Sequence, residues 1–266
     1  YTTLFRSSRN AASSRAIPTK TTIDMVLNNP AIPVAWGKNQ SGMVAENPLD
    51  LESKNAAKEV WMKASKSAAT FAAEMAETGV HKQIVNRILE PFVRMKTIVT
   101  ATEYENFFWL RNHKDADPTI AELAKKMLDA HDKFPTTHMY YGEWHLPYVD
   151  CKYIGDIQTY SVNGTEIDLE TAKKISASCC AQVSYRKLDS TLDKAEVIYE
   201  RLINGEIVHA SPIEHQATPM TEYSNPFNPK IWDAGITHVD REGQLWSGNF
   251  RGWIQARQLI ANEAKW

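Results

Sequence analysis

The chain has 266 residues, 43% hydrophobic and 23% charged, which is enough apolar material to bury a sizeable core. Its 30 basic and 32 acidic side chains leave a net charge of −2, which excludes the visibly basic balance of nucleic-acid coats and membrane-surface proteins. No apolar run reaches the roughly 18 residues of a transmembrane helix, and no apolar segment near the start reads as a signal peptide.

Residues 1–20 read as a loop ending in Ile17-Pro18. Thr21 to Asn28 reads as a short amphipathic helix stopped by Asn29-Pro30. Residues 30–48 hold three prolines, two glycines and Trp36-Gly37, an irregular stretch. Over 55–78 the spacing of Val60, Ala64, Ala68, Phe71 and Met75 predicts a helix stopped by Gly79. A second helix is predicted from His81 to about Val99, with Ile84, Ile88, Leu89 and Phe92 on one face. Asp117 can cap and Pro118 open a third, with Ile120, Leu123, Ala124, Met127 and Leu128 as its buried stripe.

From 132 to 165 aromatics and prolines mix with turn residues, and Asn163-Gly164 signals a hairpin. A helix from about Leu169 to Cys180 follows, then a strand or helix exit at Gln182–Tyr185. Ser190 and Asp193 resemble a capping box for a helix to Leu202, closed by Asn204-Gly205. Residues 208–225 and 236–250 alternate like short strands, and a last helix is expected from about Gly252 to Asn262. Together these predict a single α+β domain over residues 1–266, with a mainly helical lobe over 1–150 and a mixed lobe over 151–266.

Cys151, Cys179 and Cys180 form no disulfide framework and fit a reducing compartment. The pair Cys179-Cys180 suits helix-end packing. His138, Glu143 and His145 lack the spacing of a zinc helix, so no metal is expected. Trp36 to Gln40 reads as a cover over a ligand or as a plain loop. Gly248 to Gln258, "GNFRGWIQARQ", reads as lining a site or an interface.

The opening stretch "RSSRNAASSR", Arg6 to Arg15, carries the most distinctive chemistry. Guanidinium groups match phosphate oxygens, hydroxyls add short hydrogen bonds, and small neighbours let a ligand approach. Neither a P-loop nor a dinucleotide glycine fingerprint is present, so an anion site here is built from side chains; the ordinary alternative is a solvated turn. Three other segments each hold a polar residue in apolar company: "VNRILEP" with Arg87, "NFFWLR" with Asn106 and Arg111, and "SPIEHQA" with Glu214 and His215. Taken singly, Arg87 reads as surface-paired and His215 as a core histidine.

In combination these segments resemble the flavin-dependent thymidylate synthase (ThyX) family, in its phage-type form. Ser8-Arg9-Asn10-Ala11-Ala12-Ser13-Ser14-Arg15 is similar to the second half of the family signature, Arg-His-Arg followed by Ser-x-Asn-x-x-Ser-x-Arg. "NFFWLR" before the Pro118 helix is similar to the family's Asn-Phe-x-x-Leu-Arg segment, and "VNRILEP" to its Ala-Arg-x-x-Leu-Pro. "CCAQVSY" and "HASPIEHQA" resemble stretches that open the usual family chain, so the blocks stand here in rotated order.

The resemblance implies a ThyX-like fold of helices packed on an antiparallel sheet. It implies reductive methylation of dUMP to dTMP with FAD, methylene-tetrahydrofolate and NADPH. Ser8, Ser13, Ser14, Arg15 and Arg87 would bind the nucleotide, and Arg111 would address the pyrimidine. Asn106, Ser184, Glu214, His215 and Arg6 would lie at the flavin. A homotetramer in the cytoplasm of a bacterium or phage-infected host is implied, without nucleic acid or membrane. Two departures stand out: the Arg-His-Arg triplet is replaced by Thr3-Leu4-Phe5, and the signature's acidic residue is Ala11. They keep two alternatives open: a hydroxymethylase or dCMP-directed enzyme, and a non-catalytic nucleotide-binding homologue.

Overall fold

A computed structural model describes residues 7–134, 136–185, 187–203, 208–261 and 263. In chain order it contains strand β1 (Ser7–Ala11), helices α1 (Thr19–Asn28), α2 (Leu51–Glu77) and α3 (Lys82–Val85), strand β2 (Thr97–Ala101), and helices α4 (Glu105–Arg111) and α5 (Pro118–Lys133). Strands β3 (Asp150–Ile154), β4 (Ile157–Val162) and β5 (Thr165–Ile167) precede helices α6 (Leu169–Ala181) and α7 (Leu192–Ile203). Five short strands follow: β6 (Ala217–Pro219), β7 (His238–Val239), β8 (Leu245–Ser247), β9 (Phe250–Arg251) and β10 (Trp253–Gln255). Helices beside small antiparallel sheets make this an α+β protein.

The contacts separate two compact units that interleave along the chain, where the sequence predicts lobes meeting near residue 150. One comprises Tyr1–Ala11, Thr97–Glu103 and Thr136–Trp266; the other comprises Ala12–Lys96 and Tyr104–Pro135.

In the second unit, Asp50 accepts from Ser53 N at 2.8 Å and starts α2. Its buried face matches the predicted stripe only in part: Ala68 is buried and Met75 packs against the core, but Val60 and Phe71 are 64% and 60% exposed, while Ser65, Ala69 and Ala72 are buried instead. Small side chains let α1 approach closely, so Val26 packs with Ala68, Ala69 and Ala72, joined by Val85, Leu89 and Phe92. Trp61 donates to Ala31 O at 2.9 Å and meets Phe92 edge-on, which ties the irregular stretch to this core.

The long helix expected from His81 to Val99 does not form. The chain makes the four-residue α3, two 3-10 turns (Asn86–Ile88 and Glu90–Phe92) and then β2. Pro91 lacks an N–H and disfavours helix in Glu90, and the β-branched run Thr97-Ile98-Val99-Thr100 suits a strand. Asp117 caps α5 as expected, accepting from Thr119 N at 2.9 Å and Ile120 N at 3.1 Å. Of the predicted α5 stripe only Ala124 is buried.

In the first unit, β1 replaces the expected opening loop and pairs antiparallel with β2, setting Ser8 against Thr100. The β4–β5 hairpin turns at Asn163 (φ 52°) and Gly164 (φ 81°), both in the left-handed region that such two-residue turns require. Asp168 accepts from Thr171 N at 2.9 Å and starts α6. The α6 face carrying Ile175 and Cys179 packs on Ala195 of α7, and Ala172 packs with Trp144, Leu146 and Tyr160. At α7 the capping hydroxyl is that of Thr191, accepting from Lys194 N at 3.4 Å, rather than Ser190. The closing pair Asn204-Gly205 lies outside the described residues. The predicted C-terminal helix is instead β10 followed by a 3-10 turn over Ala256–Leu259; Asn262 is outside the described residues. Among the described residues no helix is long and apolar enough to cross a membrane.

Candidate functional site

In the first unit, three of the segments that carry the resemblance meet at one side chain. Asn10 on β1 donates through Nδ2 to Cys180 O at the end of α6, at 3.3 Å. Its Oδ1 accepts from Ser211 Oγ at 2.9 Å, at the start of the 3-10 turn Ser211–His215. Gln216, just past that turn, donates to Ser176 Oγ on α6 at 3.0 Å.

The turn buries His215 completely. Its Nδ1 lies 2.9 Å from Thr100 Oγ1 on β2, while Nε2 has no partner among the described residues. Burial, reinforced by His145, pushes the imidazole down from 6.5 to about 4, so the ring is neutral near pH 7. His145 pairs through its backbone with Ala217, at 2.8 and 3.2 Å. The His145 side chain is itself exposed, and desolvation by the groups packed around it lowers its pKa.

Thr100, His145 and Ala217 line a cavity of about 450 Å³ whose walls also include Thr102, Phe250 and Trp253, while His215 stands behind Thr100. Hydroxyls, two aromatic faces and a histidine held toward its neutral form suit a flat, largely uncharged heterocycle with hydrogen-bonding edges. The sequence singles out neither Thr100 nor His145 as a cavity residue. Thr100 carries no local signal, because its place depends on the β1–β2 pairing.

Other predicted residues of this unit are engaged within the protein. Ser8 is 1% exposed, and its Oγ accepts from Gln255 Nε2 at 2.8 Å. The Glu214 carboxylate pairs with the Arg257 guanidinium, which also donates to Glu263 at 2.6 Å. Ser184 is half-buried in the 3-10 turn after α6. Gln182 fixes that turn, accepting from Asp189 N at 3.0 Å and donating to Asp189 O at 2.8 Å. Burial pushes the Cys179 thiol up to about 11 and Cys180 further in the same direction, so neither is a ready thiolate. His138 meets Tyr140 edge-on, and Glu143 accepts from Tyr140 N at 2.6 Å and Tyr153 OH at 3.0 Å. Arg6 lies outside the described residues.

The second unit holds the rest. Ser13 Oγ accepts from Arg15 N at 3.2 Å, which shapes the turn. Asn86 clamps this turn, donating to Ser14 O at 2.7 Å and Ile17 O at 2.9 Å, and Lys82 Nζ donates to Ala16 O at 2.9 Å. Ser13 and Ser14 line a cavity of about 470 Å³ with Glu90 and Arg94. Ser14 donates to Glu90 at 2.8 Å. Arg15 and Arg87 are exposed, with Arg87 Nε 3.3 Å from Gln83 O. Arg94 is thus the guanidinium that shares a cavity with the serines, and the sequence reading misses it. Its available signal is a lone cation between Val93 and Met95.

Asn106 and Arg111 both lie on α4 rather than in a segment before a helix. Five residues apart, they point about 140° from one another around the axis, so α4 presents them on different faces. Asn106 is exposed and Arg111 half-buried. Among the described residues no group of three metal-ligating side chains forms. No family model, curated protein or solved structure matches the chain.

Proposed function

We propose that the chain is a flavin-dependent thymidylate synthase with a ThyX-like fold, converting dUMP to dTMP with methylene-tetrahydrofolate as carbon donor and NADPH as reductant. The observation that carries this reading is the junction at Asn10, where "SRNAASSR", "CCAQVSY" and "HASPIEHQA" are stitched together by two hydrogen bonds. Their similarity to family segments is short in each case.

The residues present fit a flavin ring. The cavity offers Thr100, His145, Phe250 and Trp253 to a planar heterocycle, and Thr100 is held from behind by the fully buried His215. Bound FAD supplies the redox chemistry of the reaction. The protein's part is to bind, orient and stabilise charge. Ser13, Ser14, Arg15 and Arg87 hold the nucleotide, so that binding energy fixes the pyrimidine for reaction. Arg111 stabilises negative charge developing on the pyrimidine carbonyls, a role worth about 2.7–4 kcal/mol when one such donor is lost. No cysteine nucleophile takes part, in keeping with the raised thiols of Cys179 and Cys180. The working assembly is a homotetramer.

The replacement of Arg-His-Arg by Thr3-Leu4-Phe5 favours one second reading, a related pyrimidine-nucleotide enzyme that directs a different transfer to dUMP or dCMP. Incubation of the purified protein with FAD, followed by desalting and a visible spectrum, tests the first reading. A retained flavin band is expected; a colourless protein would move the assignment to the second.

A further inference from the structure

Gln255 lies on β10 within "GNFRGWIQARQ" and is 2% exposed. Its Nε2 lies 2.8 Å from Ser8 Oγ, 2.8 Å from Glu214 O and 3.0 Å from Asn249 Oδ1. An amide has two protons, so three acceptors compete for them. The Ser8 hydroxyl adds a donor toward Asn249 Oδ1 at 3.4 Å. Asn249 Nδ2 in turn donates to Ser7 O at 2.8 Å, which ties the Gly248-Asn249 turn to β1. The space around the amide is closed. Gly248 has φ 58°, and a Cβ added there would stand 2.5 Å from Gln255 Oε1.

The ends of this network set it apart from an ordinary core tie. Ser8 faces Thr100 across the β1–β2 ladder. Thr100 Oγ1 contacts His215 Nδ1. The carbonyl of Glu214, the residue before His215, returns to Gln255. The circuit Gln255–Ser8–Thr100–His215–Glu214 closes on itself, and both Thr100 and Trp253, two residues before Gln255, line the cavity. A buried hydrogen-bonded network of this kind rigidifies what it joins, and removing its shared donor leaves buried acceptors unpaired.

We propose that Gln255 is a positioning residue for the flavin ring: it holds His215 and the cavity wall in the one arrangement that receives the ring. The assignment rests on the flavin-dependent reading. It extends a role in the site to a segment that the sequence leaves between site and interface.

The test compares wild type with Gln255→Leu and Ser8→Ala in the full chain, reading flavin affinity, the bound-flavin spectrum and dUMP affinity at saturating FAD. In Gln255→Leu the flavin dissociation constant is expected to rise about tenfold, the size of one lost buried hydrogen bond, with a shifted bound-flavin spectrum. dUMP affinity should stay within about twofold, because its ligands belong to other segments. Ser8→Ala should move flavin affinity the same way by a smaller factor, and it decides the matter if Gln255→Leu does not fold. A wild type that retains no flavin overturns the functional reading and this assignment together. Retained flavin with unchanged affinity and spectrum in the folded variants overturns the assignment alone. So does an equal loss of flavin and dUMP binding, the mark of a merely structural role.

Discussion

Two regions of the molecule handle polar side chains in opposite ways. Around His215 in the first unit, polar side chains find partners within the protein: Gln255 bonds Ser8, Asn10 the Cys180 carbonyl, Gln216 the Ser176 hydroxyl and Thr100 His215 itself. Around Ser13 in the second unit, the backbone of the turn is clamped by Asn86 and Lys82, while Arg15, Arg87 and Arg94 remain exposed. The first region commits its polar groups to shape and leaves a neutral histidine behind a cavity wall. The second commits its backbone and leaves charge to solvent. A preorganised apolar pocket suits a flat ring, and exposed guanidinium groups on a fixed turn suit a phosphate.

The contrast predicts separable losses. The largest is expected from Arg15→Ala, which should raise the dissociation constant for dUMP about tenfold to hundredfold, as for a lost charge-assisted hydrogen bond. Titration calorimetry at saturating FAD reads this directly. If Arg94→Ala gives the larger loss instead, the nucleotide phosphate sits in the cavity lined by Ser13 and Ser14 rather than at the outer turn.

A smaller effect follows from pH. The folded protein holds His215 near 4 against an ordinary 6.5, so below about pH 6.5 the unfolded chain takes up a proton that the folded one refuses, and stability falls. His145, whose pKa desolvation also lowers, adds the same sign. Asp50, Asp168 and Asp189 have carboxyls lowered by hydrogen bonds, so their loss begins only near and below the ordinary 3.8. Thermal melts from about pH 7 to about pH 4.5 should therefore show a falling melting temperature, shallower in His215→Gln. An unchanged slope in that variant would mean that His215 is protonated in the folded protein.

What the sequence discloses is what a residue can enforce on its near neighbours. Asp117-Pro118 and Asn163-Gly164 set a helix start and a hairpin turn within four residues, and both are where the sequence puts them. β1 is invisible locally, because Ser7-Ser-Arg-Asn-Ala has little strand propensity and becomes a strand only against Thr97–Ala101, some 90 positions on. The buried face of α2 misleads for a related reason: apolar periodicity points to Val60 and Phe71, but close approach by α1 selects Ala69 and Ala72. In the candidate site, His215 is legible as a polar residue in apolar company. Its partners Thr100 and Gln255 are not, since each reaches it only through tertiary pairing.

The central proposal is that the chain is a thymidylate synthase. The most direct measurement is product analysis after incubating the purified protein with dUMP, methylene-tetrahydrofolate, FAD and NADPH, with dCMP in a parallel reaction. The account predicts dTMP from dUMP, dependent on both FAD and NADPH, and no methylated product from dCMP. A product formed without flavin, or formed from dCMP instead, would contradict it.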